Sequence, residues 1–244
     1  LATEILALAR HIVATRPEPI TIISLARAGT PFGALLQRAL RKVLAVDSAH
    51  YSISIIRDRG IDLEALRYIL RDAKRPAEGV LFADAWTAKG VITRELKVAI
   101  EAWNEAEPEQ LSAKLYVISD IGGTADVAAT YEDYAIPSGV LNATVSGLIS
   151  RSILNEEIGR GEFHGCVVYD DLQPHDLSNW FLDEVSAEFA HAEEYQLPLI
   201  PKEERVVRSR EWVEYWMKEY GIEDVNHIKP GIAEATRVRS EEHT

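Results

Sequence analysis

The chain has 244 residues, with 26 Lys and Arg against 39 Asp and Glu, so its formal net charge is −13. This acidity argues against binding to polynucleotides, because such binding depends on basic side chains that displace counterions. No stretch approaches the ~18 consecutive apolar residues of a membrane span, and no signal peptide is visible. A single cysteine excludes an internal disulfide, so we expect a protein of the reducing cytoplasm.

The first half of the chain alternates short apolar runs with helical patterns. The predicted elements are a helix at 4–14, a strand at 19–25, a helix at 32–43, one or two strands over 44–57, a helix at 61–73, a strand at 79–84, a helix at 91–106 and a strand at 114–119. This alternation predicts an α/β fold with a mostly parallel sheet flanked by helices. Ligands bind beyond the carboxyl ends of such strands, so the loops after residues 25, 84 and 119 are predicted to converge on one crevice.

The second half of the chain has a different pattern. Residues 131–155 and 176–196 are predicted to be helical, residues 202–210 resemble a charged linker, and residues 211–220 form an aromatic helix. We therefore predict an α/β core over residues 1–130 and a mainly helical accessory region over residues 131–244.

One strand–loop–helix stretch, from Val80 to Thr93, has features of a phosphate site. The strand leads to Asp84, the loop contains small residues, and a helix follows. Backbone N–H groups of such a loop and of the helix N-terminus bind anions, and Lys89 adds a positive charge. Small residues such as Ala88 and Gly90 let phosphate oxygens approach the backbone. The same pattern also fits an ordinary connection between a strand and a helix.

This stretch resembles the phosphoribosyl diphosphate (PRPP) loop of type I phosphoribosyltransferases, in which a strand runs into two acids and then Thr-Thr-Gly-x-Thr. Asp84 matches the first acid and Gly90 the glycine, whereas Ala85 replaces the second acid and Ala88-Lys89 the two threonines. The wider chain is similar to phosphoribosyltransferases of tellurite-resistance and stress gene clusters, a family also named cysteine protease StiP. The resemblance is carried by the segments Ile23 to Gly29, His50 to Asp62, Asp84 to Gly90, Tyr131 to Ser152, Phe163 to Gly165 and Pro230 to Arg237.

The resemblance implies transfer of ribose 5-phosphate between PRPP and a nitrogen nucleophile. Mg²⁺ would bind through the diphosphate, with Asp84 as the one protein group that could also reach it. Asp84 would contact the ribose, and the diphosphate would bind to Arg27, Ala28 and Gly29. The 5-phosphate would bind to the loop and helix start formed by Thr87, Ala88, Lys89, Gly90, Val91, Ile92 and Thr93.

Two further groups of residues take roles from the same resemblance. Arg57 and Arg59 resemble the flexible loop that closes over the diphosphate, although a solvated turn fits them equally well. Asp120, Glu132 and Asp133 suit contacts to the accepting base, although a glycine loop and a helix start explain them as well. Arg151 could face a phosphate or cap a helix.

A thiol and a cluster of acids offer other chemistry. Cys166 follows His164 by two residues, which allows a cysteine nucleophile with a nearby base. Its neighbours Val167 and Val168 predict instead a buried, apolar Cys166. The segment from Asp170 to Asp176 could be taken for a metal cluster, but a loop followed by a helix N-cap explains it more simply.

Three functions remain open at this point. The first is a phosphoribosyltransferase that forms or cleaves an N-ribosidic bond in a stress-response pathway. The second is a non-catalytic module that senses nucleotides or PRPP, motivated by Ala85, and the third is a cysteine hydrolase that uses Cys166. The expected partners are a small phosphoribosyl substrate, proteins of the same gene cluster and a second copy of the chain in a homodimer.

Overall fold

The computed structural model describes residues 1–56, 58–133, 142–159, 161–198, 200–229, 231–232 and 235. Within these residues, a six-stranded sheet has the spatial order β3-β2-β1-β4-β5-β6. Only the β2–β3 pair is antiparallel in this sheet. The strands are β1 (Ile20–Ala26), β2 (Ser48–Ile56), β3 (Gly60–Ile61), β4 (Val80–Thr87), β5 (Leu115–Asp120) and β6 (Val127–Thr130).

Helices flank this sheet. They are α1 (Ala2–Thr15), α2 (Gly29–Arg38), α3 (Leu63–Arg67), α4 (Val91–Ala106), α5 (Ser178–Ala187) and α6 (Lys202–Tyr220). The helices α2 and α3 continue as π-helical turns over Ala39–Val43 and Tyr68–Asp72. The predicted fold class, a mostly parallel sheet flanked by helices, is thereby confirmed. In the part of the chain that the structure describes, no helix combines the length and apolarity that crossing a membrane requires.

Each face of the sheet has its own apolar core, because adjacent residues of a strand point to opposite faces. Ile22 of β1 packs with α1, α2 and α5, whereas the next residue, Ile23, packs with α3 and α4. A strand buried on both faces is almost continuously apolar. This explains the mostly apolar run that predicts β1, in which Thr21 and Ser24 are the polar residues. The later part of the chain contributes Phe181 and Phe189 to the first of these cores.

The predicted helix over residues 131–155 is wrong for most of the residues that the structure describes. They form a 3-10 turn at Asn142–Val145 and a strand, β7 (Ile149–Ile153), which pairs antiparallel with β8 (Gly165–Val168). Residues 134–141 lie outside the described residues. The β-branched side chains of β7 favour an extended strand once a partner strand lies beside it.

The predicted linker over residues 202–210 is also wrong, because these residues form the first half of α6. Glu203 and Glu204 lie in the first turn of this helix, where acidic side chains interact favourably with the helix dipole. In the predicted helical segment 176–196, α5 ends at Ala187 and a 3-10 turn continues to His191.

Candidate functional site

Two close backbone approaches lie near the carboxyl edge of the sheet, one between the start of α2 and β4 and one between the loops after β4 and β5. A Cβ atom on Gly29 would lie only 3.0 Å from the carbonyl oxygen of Ala83 and 3.1 Å from a carboxylate oxygen of Asp84. A Cβ atom on Gly122 would overlap the carbonyl oxygen of Ala88. A Cβ atom at Gly29 would require its neighbours to shift by a few tenths of an ångström, whereas one at Gly122 has no room. The loops after β4 and β5 therefore meet as predicted, whereas the start of α2 packs against the strand β4 itself.

Asp84 lies inside β4 and not at its end, because the strand continues to Thr87. The predicted end of this strand is therefore three residues too early. The Asp84 side chain is half-buried, and its Oδ1 accepts a hydrogen bond of 2.7 Å from the N–H of Ala85. Burial raises the pKa of Asp84 to about 7, against a smaller lowering by this hydrogen bond. A carboxyl group of this kind is present in both protonation states near neutral pH, so it can bind a hydroxyl group or exchange a proton.

The loop after β4 is tightly packed. Gly90 has a φ of 72° and directly precedes α4, and a Cβ atom there would lie 2.6 Å from Cγ2 of Thr124. The buried Thr87 hydroxyl donates to Asp120, and the ammonium group of Lys89 donates to the carbonyl oxygen of Ile228 at 3.1 Å. The N-terminal turn of α4, with Val91, Ile92 and Thr93, follows directly. The loop is thus anchored to β5 through Asp120 and to the C-terminal part of the chain through Ile228.

The basic residues predicted to bind diphosphate lie on two neighbouring connections. Arg27 and Ala28 join β1 to α2, which begins at Gly29. Arg59 lies in the short turn between β2 and β3, where it is exposed and its N–H donates to the carbonyl oxygen of Ile56 at 3.0 Å. Arg57 lies outside the described residues. Because β1 and β2 are parallel neighbours, both connections lie at the same edge of the sheet.

Of the residues predicted for the accepting base, Asp120 is engaged within the protein. Its carboxylate forms a buried ion pair with Arg205 and accepts hydrogen bonds from the backbone N–H groups of Thr124 and Ala125 at 2.9 and 3.2 Å. Glu132 and Asp133 are exposed, and the Asp133 carboxylate accepts a hydrogen bond of 2.8 Å from the N–H of Ile232. Asp120 therefore holds the loop after β5 in place.

The sequence patterns did not predict two pairs of polar residues in the core. The hydroxyl of Ser24 lies 2.7 Å from Nε2 of His50, and burial lowers the pKa of His50 to about 4. This neutral pair joins β1 to β2 beneath α2. The alternating polar residues of β2 are a signal that could have indicated it. Arg205 carries no comparable signal, because its partner Asp120 lies 85 residues earlier in the chain.

Cys166 is exposed, so the prediction that it is buried is wrong. The reason is that β8 belongs to a separate two-stranded sheet, in which Val167 and Val168 are also exposed. His164 is fixed next to the main sheet: its Nδ1 lies 2.9 Å from the hydroxyl of Ser54, and its backbone N–H donates to the carboxylate of Asp62 at 2.8 Å. Among the described residues, no hydrogen bond joins His164 to the Cys166 thiol.

The segment after β8 does not form a metal site. Across the described residues, no group of three or more His, Cys, Asp or Glu side chains could hold a metal ion. Asp176 accepts hydrogen bonds from the N–H and hydroxyl of Ser178, the first residue of α5, but the N-cap position is Leu177, so the predicted N-cap at Asp176 is one residue too early. Arg151 lies in β7, so the expectation that it caps a helix is wrong.

The fold defines an α/β protein with a mostly parallel sheet flanked by helices. A family model described as "Tellurite-like stress resistance cysteine protease StiP" matches residues 1–186, and the chain belongs to this family. A curated relative from Acinetobacter baylyi, "Cysteine protease StiP", is 38% identical over 256 residues and matches 97% of this chain. The chain spans 64% of the length of that relative.

Three further similarities concern shorter or more distant matches. A model of the "PELOTA RNA binding domain" matches residues 207–239. Hypoxanthine phosphoribosyltransferase of Trypanosoma cruzi is 20% identical with a TM-score of 0.39, covering 53% of this chain and 75% of that one. A mutant of that enzyme in complex with the product IMP is 16% identical with a TM-score of 0.40, covering 75% and 87%.

Proposed function

We propose that a crevice at the carboxyl edge of the sheet, between the β1–α2 connection and β4, binds a phosphoribosyl diphosphate, and that the protein is a phosphoribosyltransferase acting in stress resistance. The observation that supports this proposal is the close approach of Gly29 to Asp84. A ligand that contacts the backbone at the start of α2 therefore also reaches a carboxyl group. Diphosphate on backbone N–H groups and ribose hydroxyls on a carboxylate are the chemistry that such an arrangement recognises.

The residues around this crevice would act mainly by binding and orientation. The ionised Asp84 would accept hydrogen bonds from the ribose hydroxyls, and the N-terminal turn of α4 after Gly90 would bind the 5-phosphate. Arg27 and Arg59 lie on the connections from which they would contact the diphosphate. Positive charge placed here stabilises the negative charge that develops on the departing diphosphate.

Mg²⁺ would bind in this crevice only together with PRPP, the proposed substrate. Mg²⁺ in phosphate sites usually binds to one or two carboxylates and to the phosphate oxygens, while it keeps several waters. Asp84 is one such carboxylate, and Ala85 occupies the position of a second. Asp84 and the diphosphate would hold the ion, which supplies charge neutralisation when bound.

Binding of PRPP is expected to depend on Asp84. The wild-type chain should bind PRPP in the presence of Mg²⁺, and Asp84→Asn should weaken binding by about tenfold or more, because a charged hydrogen-bond acceptor is lost. Isothermal titration calorimetry measures both affinities. Asp171→Asn, which changes an exposed acid on the turn before α5, is the matched control and should bind as the wild type does. Absence of PRPP binding at millimolar concentration contradicts the proposal.

The non-catalytic alternative keeps the same binding site. It is supported by the single acid at Asp84 and by Lys89, whose ammonium group donates to the carbonyl oxygen of Ile228. This alternative predicts PRPP binding without release of diphosphate in the presence of any base. An assay for released diphosphate with purine, pyrimidine and pyridine acceptors therefore separates the two functions, since turnover with any acceptor excludes the sensor.

A cysteine hydrolase is the third candidate, and the exposure of Cys166 is the observation that favours it. His164 lies two residues away with its Nδ1 held by Ser54, an arrangement that fixes the imidazole ring. We expect Cys166→Ala to leave PRPP binding unchanged, because Cys166 lies on the separate β7–β8 sheet. Peptidase activity that disappears in both Cys166→Ala and His164→Gln, but persists in Asp84→Asn, would establish the hydrolase instead.

A further inference from the structure

Two lysine side chains share one carboxylate group beside the start of α6. The ammonium groups of Lys97, on α4, and of Lys202, the first residue of α6, donate to the same oxygen of Asp126 at 3.0 and 3.1 Å. The other oxygen of Asp126 accepts a hydrogen bond of 3.0 Å from the N–H of Leu115. Two positive charges are therefore held at close range against a single negative charge.

Lys202 is the member of this pair that loses its proton more readily. Burial lowers the pKa of Lys202, and the neighbouring ammonium of Lys97 lowers it further, against the opposing effect of Asp126. Burial also disfavours the charge of Lys97, but its hydrogen bond to Asp126 and the nearby carboxylate of Glu101 raise the pKa of Lys97. The two lysines therefore differ in charge state, with Lys97 as the ammonium and Lys202 as the source of the neutral amine.

The position of Lys202 in α6 acts in the same direction. It is the first residue of a 19-residue helix, and the N-terminus of a helix carries a partial positive charge that disfavours a cation. The acids of the first turn, Glu203 and Glu204, are exposed, so water screens their effect on the ammonium group. Lys202 retains 32% of its side-chain surface. Its amine is therefore a nucleophile that a small reagent can reach.

We propose that Lys202 is a site of covalent modification, at which the side-chain amine is acylated by a small acyl phosphate. The neutral nitrogen of Lys202 attacks the acyl carbon, and a C–N bond forms as the bond from that carbon to the phosphate oxygen breaks. One proton of the amine leaves with the phosphate, which departs as hydrogen phosphate. The ammonium group of Lys97 attracts an anionic reagent and stabilises the negative charge on the departing phosphate.

Acylation also removes the unfavourable charge of this group. The product amide is uncharged, so Lys97 and Asp126 remain as a balanced ion pair, and the amide N–H can still donate to Asp126. Asp126 directly precedes β6 and binds the N–H of Leu115, the first residue of β5. The group thus lies at the amino ends of these strands, whereas the proposed PRPP crevice lies at the carboxyl edge. A failure of PRPP to bind leaves this proposal intact.

The test uses acetyl phosphate as the reagent and peptide mass spectrometry to measure the rate at which each lysine of the whole chain is acetylated. We expect Lys202 to react about threefold or more faster than Lys218 at pH 7, because more of its amine is neutral. Lys218 lies on the same helix and is exposed, so accessibility alone predicts the opposite order. In the chain unfolded by urea the two lysines should react at equal rates, because Lys97 no longer lies beside Lys202.

Two variants test the charges in opposite directions. Lys97→Met should slow the acetylation of Lys202 to the rate of Lys218, whereas Asp126→Asn should accelerate it, because loss of the carboxylate disfavours the ammonium form. A loosened structure would accelerate it in both variants. Lys42→Met, which removes an exposed lysine of the turn after α2, is the control and should react as the wild type does.

Two results would overturn the proposal. The first is that Lys202 reacts no faster than Lys218 in the folded wild type, a comparison that needs no variant. The second is that Lys97→Met, shown by circular dichroism to be folded, leaves the rate of Lys202 unchanged or raises it.

Discussion

Replacing Arg205 by alanine is expected to lower the free energy of unfolding by about 3–5 kcal/mol, because it leaves the carboxylate of Asp120 buried without its cation. The two side chains are 7% and 0% exposed, so the ion pair is buried in the folded protein. Arg205 also stacks over Tyr131 and donates to the carbonyl oxygen of Ile200 at 3.2 Å. Its loss therefore loosens α6 from the end of β5. Urea denaturation followed by circular dichroism measures the change.

A double-mutant cycle separates the ion pair from the packing of the arginine stem. Asp120→Ala alone should also destabilise the protein, and the double variant should lose less than the sum of the single losses. Arg210→Ala, an exposed position on the same helix, is the control and should change stability by less than about 0.5 kcal/mol. Equal stability of Arg205→Ala and Arg210→Ala would show that the buried ion pair does not hold α6.

Asp84→Asn is expected to stabilise the protein above neutral pH, by about 2–4 kcal/mol at pH 8. Burial raises the pKa of Asp84 to about 7 in the folded protein, from 3.8 for an aspartate in water. Between these values the folded protein binds more protons than the unfolded chain, so the free energy of unfolding falls as the pH rises. Asparagine keeps an oxygen for the Ala85 N–H but carries no charge, so it removes this penalty.

Urea denaturation at pH 4, 6 and 8 tests this expectation. The stability of the wild type should fall relative to that of Asp84→Asn as the pH rises from about 4 to about 8, while Asp171→Asn should follow the wild type throughout. An identical pH dependence in the wild type and Asp84→Asn would refute the raised pKa. A gain in stability together with weaker PRPP binding is the pattern expected of a residue that serves function at the expense of stability.

The regular elements of the α/β core could be predicted from sequence because their patterns are local. The predicted helix over 91–106 coincides with α4, and the predicted strand over 19–25 differs from β1 by one residue at each end. Buried parallel strands require continuous apolar runs, and helices that cover them require one apolar face. Both requirements appear within windows of about 10 to 15 residues.

The second half of the chain was harder to predict because its elements depend on partners distant in sequence. β7 is extended because β8 lies beside it, although its residues also fit a helical pattern. The first half of α6 has the composition of a charged linker, yet it is helical and packs through Arg205 against the end of β5. Intrinsic preferences of such segments are weak, and tertiary contacts override them.

By itself, then, the sequence determined the α/β class, the family resemblance and the placement of the connections after the parallel strands at one edge of the sheet. Only the tertiary structure decided that Asp120 is neutralised by Arg205, that Cys166 is exposed, and that Lys97 and Lys202 share the carboxylate of Asp126. The physical reason is that periodicity reports which face of an element is buried. The identity of the residues that meet there depends on contacts between segments far apart in the chain, and these contacts leave no period in the sequence.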